Sequence, residues 1–106
     1  MTRRDKDPSD CHSMPELRDA IDALDHELVS LLAARAAMID RAITLKTTNG
    51  MPARIDSRVE EVVKKVRASA DALGYDADLA ENLWRTIVNW SIAREEAVLG
   101  GTPRQD

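Results

Sequence analysis

Two basic residues lie within the apolar stripe of a helical segment, "LLAARAAMIDRAITLK", residues 31–46. At about 100° per residue, Arg35 and Lys46 project about 20° apart and share an arc with Leu32 and Ile39. Burying an unpaired charge costs free energy, so each side chain needs a partner or a ligand. Two alternatives are open. Each side chain reaches the bundle edge or pairs with a buried carboxylate, or both line a cavity that binds an anion.

Four further polar residues are candidates for the same anion site. Arg18 lies on the flank of the stripe, about 25 Å from Arg35 along the helix axis, so it would reach the site of a second copy rather than its own. Arg58 opens a second helical segment, and Ser91 and Glu95 share a helix face at i, i+4. Each is singly typical of a solvated surface. Their joint arrangement favours a ligand site.

The elements that position these residues begin with one very long helix. Ser13 and Glu16 have the spacing of a capping box, and no helix breaker follows until residues 47–50, so this helix spans about 15–47. At about 1.5 Å per residue it is about 50 Å long, more than a compact domain of this size is wide. Two shorter helices cannot cover its stripe. We therefore predict a homodimer; a break near residue 35, giving a monomeric bundle, is the alternative.

A short second helix is predicted over about 57–72. Ser57 and Glu60 repeat the capping-box spacing, and Gly74 is a natural C-terminal stop. The apolar positions recur at helical spacing. The predicted buried side consists of Val59, Val62, Val63, Val66 and Ala70.

The third helix begins after Asp76 or Asp78 and runs to about residue 99. Its apolar stripe consists of Leu79, Leu83, Ile87, Trp90 and Val98. The fold class is therefore all-α, with three helices per chain. We expect residues 1–12 to form a disordered leader, residues 13–100 to form the domain, and residues 101–106 to be a frayed tail.

Composition excludes several classes of function. The net charge of −4 argues against a nucleic-acid partner, and no run approaches the roughly 20 apolar residues of a membrane span. Cys11 is the single cysteine, so no internal disulfide can form, and a reducing cytoplasm is the simplest location. The histidines, Cys11 and the carboxylates show no metal-ligand spacing.

The segments "LRDAIDALDHELVSLLAARAAMIDRAITLK", "SRVEEVV" and "IVNWSIAREE" together resemble the all-helical chorismate mutases, over about residues 15–99. The spacing of arginine, aspartate and lysine in the first segment is fairly specific. The resemblance implies an intertwined homodimer with two equivalent sites. It also implies conversion of chorismate, a small dicarboxylate, to prephenate without a cofactor.

The resemblance also implies the site residues and their roles. Arg35, Lys46 and Arg58 match cations that line the site within one protomer, and Arg18 matches the arginine lent by the other. Arg18 and Arg35 would hold the two carboxylates, Lys46 a carboxylate and the ether oxygen, and Arg58 would support binding. The positions implied are Arg18, Arg35, Lys46, Arg58, Ser91 and Glu95.

Three residues depart from the usual mutase pattern. Val59 and Ile55 stand where acidic residues are common, and Glu95 stands where glutamine is common. Ionised, Glu95 would repel charge that develops on the ether oxygen; protonated, it would donate a hydrogen bond. We therefore expect activity to rise as the pH falls below 7.

Val59 and the segment "NWSIA", residues 89–93, also resemble the isochorismate pyruvate lyases, relatives on the same fold that leave salicylate and pyruvate. A lyase reaction is therefore the alternative activity, and an amino-substituted chorismate is a further possible substrate. A non-catalytic helical dimerisation or regulatory module is the alternative of another class.

Overall fold

Three α-helices and one short 3₁₀ turn make up the computed structural model, which describes residues 7–100 of the chain. The helices are α1 (Met14–Asn49), α2 (Asp56–Leu73) and α3 (Ala77–Leu99), and the turn is Pro8–Asp10. No strand occurs within this described range, which confirms the predicted all-α class with one very long helix.

The start of α1 is fixed by two side-chain hydrogen bonds. The backbone N–H of Glu16 donates to Ser13 Oγ at 3.2 Å, and the backbone N–H of His12 donates to Glu16 Oε1 at 2.9 Å. These bonds satisfy donors near the helix start that have no partner within the helix. The predicted Ser13 cap is confirmed, although the reciprocal bond goes to His12. From there α1 continues without interruption through residue 35 to Asn49.

The start of α2 differs from the prediction. Ile55 is the N-cap, with an extended backbone and no side-chain capping bond, so the predicted capping box of Ser57 and Glu60 is wrong. The Glu60 carboxylate instead accepts two hydrogen bonds from Arg85 of α3, at 3.1 and 3.2 Å. The Glu60 side chain, which the local pattern assigned to the cap, therefore forms an ion pair between helices instead.

The connection from α2 to α3 follows the sequence signals. Gly74 ends α2 with a φ of 74°, in the left-handed region that glycine adopts without steric cost. Asp76 Oδ1 then accepts a hydrogen bond of 3.0 Å from the backbone N–H of Leu79. Of the two aspartates considered, Asp76 is therefore the cap of α3.

The described residues fall into two compact units, one up to Met38 and one from Ile39 onward. In the second unit, α2 packs against α3 through a small apolar core. Its members are Val59, Val88 and Ile92, with Val62 and Trp84 partly buried against them. This core fixes the face that α3 turns inward, and hence the site residues on that face.

The inward face of α3 is not the stripe that the sequence singled out. Four of the five stripe residues are exposed: Leu79, Leu83, Trp90 and Val98. The buried residues of α3 are Ala80, Val88, Ser91, Ile92 and Glu95. Small and branched side chains form most of this buried face, and Trp84 packs partly buried against them. Two polar side chains, Ser91 and Glu95, are buried together with the apolar ones.

In the unit up to Met38, α1 carries exposed apolar side chains over much of its length. They include Ile21, Leu24, Leu28, Val29, Leu31 and Leu32. A helix that exposes such a series in one chain has apolar surface available for a partner. The homodimer itself stays a prediction.

The predicted tail, residues 101–106, and residues 1–6 of the predicted leader lie outside the described residues. Asp7 caps the 3₁₀ turn Pro8–Asp10 by accepting a hydrogen bond from Ser9 N–H at 2.9 Å.

Within residues 7–100, no helix is long and apolar enough to cross a membrane. In the same range, no three His, Cys, Asp or Glu side chains are placed to hold a metal ion.

Candidate active site

Lys46 and Glu95 form the centre of the candidate site. Lys46 Nζ donates to Glu95 Oε1 at 2.6 Å and to the carbonyl oxygen of Ala53 at 2.9 Å. The Glu95 residue is only 4% exposed. A charge-assisted hydrogen bond of this length in a largely buried setting is a strong local interaction.

The end of α1 positions the Lys46 ammonium. Lys46 lies in the last turn of α1, where a positive charge interacts favourably with the helix dipole. Its backbone carbonyl accepts a hydrogen bond from Met51 N–H at 3.0 Å, which turns the loop back toward the helix. Ala53 is buried, so the loop presents its carbonyl to Lys46 from a fixed place.

Ser91 and Glu95 lie one turn apart on the buried face of α3, as their spacing predicts. The Ser91 hydroxyl donates to the carbonyl oxygen of Ile87 at 3.0 Å. The structure therefore brings Lys46 and Glu95 together, with Ser91 buried one turn away from Glu95 on the same helix face.

Arg58 is placed differently. It lies in the first turn of α2 with its side chain mostly exposed, and its guanidinium donates to Glu61 Oε1 at 2.8 Å. Hydrogen bonds from Arg58 and the charge of Lys65 hold the pKa of Glu61 below its ordinary value. In this structure Arg58 therefore engages a carboxylate of its own helix, and a role in binding requires a different side-chain conformer.

Arg18 and Arg35 belong to the unit that ends at Met38. Arg18 is exposed and Arg35 is half-buried on α1. Their participation in a site with Lys46 stays a prediction.

The two apolar departures from the mutase pattern have structural roles. Val59 is buried in the α2–α3 core against Val88 and Ile92. Ile55 is the half-buried N-cap of α2, and its carbonyl accepts from the N–H groups of Arg58 and Val59 at 3.0 and 3.1 Å. Neither side chain can hydrogen-bond a substrate hydroxyl.

Sequence reasoning missed two features near the Lys46–Glu95 pair. One is the Ala53 carbonyl, a backbone group that residue type does not reveal. The other is the ion pair between Asp40 of α1 and Arg94 of α3, with an N–O distance of 2.6 Å. These two residues are 54 positions apart, and no spacing rule connects them.

Of the two alternatives for the charges in the stripe, Lys46 shows the first: it pairs with a buried carboxylate. No buried side-chain nitrogen or oxygen within residues 7–100 lacks a hydrogen-bond partner. A ligand that binds Lys46 therefore either takes the third proton of its ammonium or displaces one of its two contacts. The geometry of the Lys46–Glu95 pair also fits a purely structural role. The family is decided by comparison with known proteins.

Residues 17–96 match the family model described as chorismate mutase type II. The chain belongs to this family. The match includes Arg18, Arg35, Lys46, Arg58 and the α3 residues up to Glu96, and it confirms the resemblance drawn from the sequence. Membership supports an enzyme that is an isomerase or a lyase.

Relatives of the chorismate mutase type II chain carry two different names. The T-protein of Haemophilus influenzae is 31% identical over 83 residues, which cover 78% of this chain and 22% of the relative. The T-protein of Enterobacter agglomerans is 33% identical over 79 residues, with coverage of 74% and 21%. The chain thus spans about a fifth of the length of these T-proteins.

The isochorismate pyruvate lyase of Pseudomonas aeruginosa is 31% identical over 91 residues, which cover 85% of this chain and 88% of that protein. No solved structure matches the chain. Family membership is therefore established, while the choice between isomerase and lyase rests on the site.

Proposed function

We propose that the chain is a chorismate mutase, which rearranges chorismate to prephenate in a cation-lined pocket shared by two protomers. The observation that carries this proposal is the contact of Lys46 with Glu95, with Ser91 on the same buried face. These three residues occupy positions that the family resemblance assigns to the site. Lys46 is the one candidate donor among them that carries a positive charge.

The proposed reaction is unimolecular, so the protein supplies neither a nucleophile nor an essential proton transfer. It holds chorismate in a compact conformer and stabilises the negative charge that develops on the ether oxygen as the C–O bond breaks. Lys46 is the proposed donor to that oxygen. The partly buried setting of its ammonium strengthens such an interaction relative to water.

Glu95 has a proposed role that depends on its protonation. Lys46 donates to Glu95 and Ala53, so a substrate whose carboxylate and ether oxygen both bind this ammonium competes with one of these contacts. An ionised Glu95 repels them. A protonated Glu95 instead donates a hydrogen bond toward the ether oxygen and leaves Lys46 to the substrate.

The remaining cations bind the two carboxylates of the substrate in this proposal. Arg35 and Arg18 each offer the planar fork that fits a carboxylate, with Arg18 coming from the partner of a homodimer. The exposed apolar side chains of α1 and of the outer face of α3 support a dimer, because a second copy would cover them. Arg58 supports binding after it exchanges Glu61 for the substrate.

Isochorismate pyruvate lyase activity is the second candidate, and two observations favour it. The lyase from Pseudomonas aeruginosa matches this chain over most of the length of both proteins. In addition, Val59 is buried among apolar residues, where the mutase pattern commonly has an acidic residue for the ring hydroxyl. The same cations would bind isochorismate, which is also a dicarboxylate.

One assay separates these candidates. Purified protein receives chorismate or isochorismate in separate reactions, and prephenate, salicylate and pyruvate are quantified. Prephenate from chorismate supports the mutase. Salicylate with equimolar pyruvate from isochorismate alone supports the lyase and contradicts the mutase.

A thermal-shift titration with a bicyclic dicarboxylate analogue tests the third alternative. A ligand that binds only the folded protein must raise Tm. At a ligand concentration of a hundred times Kd, it adds about 2.7 kcal/mol to the free energy of unfolding. A chain with no turnover and no shift would be a non-catalytic dimerisation or regulatory module. An amino-substituted chorismate is the further substrate to assay if only the shift is observed.

A further inference from the structure

Asp40 of α1 and Arg94 of α3 form a two-pronged ion pair. Arg94 Nε donates to Asp40 Oδ1 at 2.6 Å, and Arg94 Nη2 donates to Asp40 Oδ2 at 3.1 Å. Two parallel bonds between planar groups fix their relative orientation as well as their distance. This pair therefore defines how α3 lies against the end of α1.

A third group holds the Arg94 guanidinium in place. Its central carbon lies 5.5 Å from the centre of the Trp90 ring, one helical turn earlier on α3. This cation–π contact limits the conformers of the arginine before Asp40 is engaged. The hydrogen bonds from Arg94 also hold the pKa of Asp40 below its ordinary value.

The ion pair lies directly beside the candidate catalytic contact. Arg94 precedes Glu95, so their side chains leave α3 about 100° apart, one to the exposed flank and one inward. On α1, Asp40 and Lys46 are six residues and about 9 Å apart along the axis. The two links thus hold α3 on two flanks, and a rotation that separates Arg94 from Asp40 also moves Glu95 relative to Lys46.

We infer that Asp40 and Arg94 are positioning residues, which set the distance between Glu95 and Lys46 in the working site. This inference rests on the proposed function of that site. Neither residue touches the substrate; they act through the rotation of α3.

The exposure of the pair argues against a mainly stabilising role. Both side chains are nearly half exposed, 45% for Arg94 and 49% for Asp40, and exposed ion pairs contribute little to the free energy of unfolding. Two parallel hydrogen bonds fix the relative orientation of the two helices. Lysine in place of arginine retains the charge but cannot form both bonds in this planar geometry. Geometry should therefore respond to substitution more than stability does.

The chain contains a matched control. Arg85 and Glu60 form a second two-pronged pair between helices, at 3.1 and 3.2 Å and similarly exposed, but it joins α2 to α3. Glu60→Gln removes the charge there just as Asp40→Asn does beside the site. A general weakening of the surface would affect both variants alike.

Steady-state kinetics on the substrate that the wild type turns over provide the first test. We expect Arg94→Lys and Asp40→Asn to lower kcat by about 5- to 20-fold with KM changed less than about twofold, because small misplacements slow chemistry. Glu60→Gln should keep kcat within about twofold of the wild type. In a Glu95→Ala background, Arg94→Lys should add less than a further twofold loss, because the contact that it positions is gone. Equal losses of kcat in Asp40→Asn and Glu60→Gln would overturn the inference. So would a loss from Arg94→Lys that is as large in the Glu95→Ala background as in the wild type.

A second measurement does not depend on catalysis. Lys46→Met is introduced into the wild type and into Asp40→Asn, and the urea midpoint of unfolding is measured for all four proteins. If Asp40 positions the Lys46–Glu95 contact, Lys46→Met lowers the midpoint less in the Asp40→Asn background. Identical lowering in both backgrounds refutes the positioning role. A wild type without turnover contradicts only the proposed function. The urea midpoints of the four proteins still test whether Asp40 positions the Lys46–Glu95 contact.

Discussion

The Nζ atom of Lys46 lies 2.6 Å from Oε1 of Glu95, although the two residues are 49 positions apart in the chain. One comes from the last turn of α1 and the other from the buried face of α3. The contact joins the cation and the carboxylate that the family resemblance assigns to one site. It also means that a substrate would meet Lys46 already bonded to Glu95, and the predictions on these two residues follow from that contact.

Replacement of Lys46 by alanine should lower kcat by at least about 10²- to 10³-fold, the usual cost of losing a donor to a developing oxyanion. The protein should stay folded, with an unchanged elution volume, as judged by circular dichroism and size-exclusion chromatography. Lys64→Ala, at an exposed position of α2, is the control and should retain normal turnover. Near-normal turnover by Lys46→Ala would refute the assigned role.

The same substitution should also reduce stability, because Glu95 then stays buried without its cation. Leaving a buried polar group unsatisfied costs about 1–3 kcal/mol of unfolding free energy. Adding Glu95→Gln should recover part of that loss, since a neutral amide is easier to bury. Urea denaturation of the single and double variants measures both effects, and no recovery would show that the Lys46–Ala53 contact dominates.

Glu95→Gln should raise kcat, because a glutamine amide donates a hydrogen bond toward the ether oxygen, whereas a carboxylate that accepts from Lys46 repels the developing charge. The measurement is kcat and KM of both proteins at one pH, with folding checked by circular dichroism. A Glu95→Gln variant slower than the wild type would count against this role of Glu95.

The proposed sharing of Arg18 between protomers predicts complementation. Arg18→Ala and Lys46→Ala homodimers should each be nearly inactive. After mixing and subunit exchange, half of the dimers are mixed, and each contains one site with both native residues. About a quarter of the wild-type activity should therefore appear. If the mixture stays inactive although exchange is demonstrated, Arg18 does not complete the partner's site.

The protein should lose stability in acid, because its surface ion pairs stabilise it only while their carboxylates are ionised. Arg94 holds the pKa of Asp40 below its ordinary value, and Arg85 and Arg67 do so for Glu81. A depressed pKa in the folded state stabilises the protein above the ordinary value, about 4, and this stabilisation is lost as the pH falls through the folded value.

The urea midpoint should therefore decline between pH 5 and pH 2, and decline less in an Asp40→Asn/Glu81→Gln variant. High salt, which screens exposed pairs, should reduce the difference between the two proteins. Identical pH profiles would show that these pairs do not contribute.

Much of the local architecture was predictable from the sequence. The cap at Ser13, the cap at Asp76 and the stop at Gly74 were predicted because each depends on groups within a few residues. The length of α1 followed from the absence of a breaker between residue 16 and residue 47. The family could be recognised because the cations of α1 recur at fixed helical spacing.

The failures occurred where a distant element competes for a side chain or a face. Glu60 bonds to Arg85 rather than capping α2, and α3 turns Val88 and Ile92 inward rather than its bulkier stripe. Periodicity gives the angle between residues on a helix, but a neighbouring helix selects which side is buried.

The sequence by itself therefore determined the helices, the caps at Ser13, Gly74 and Asp76, and the identity of the charged residues. Only the tertiary structure decided that Lys46 meets Glu95 and Ala53, and that Asp40 meets Arg94. The physical reason is that capping bonds form within one turn of chain, whereas these contacts depend on how separate segments pack.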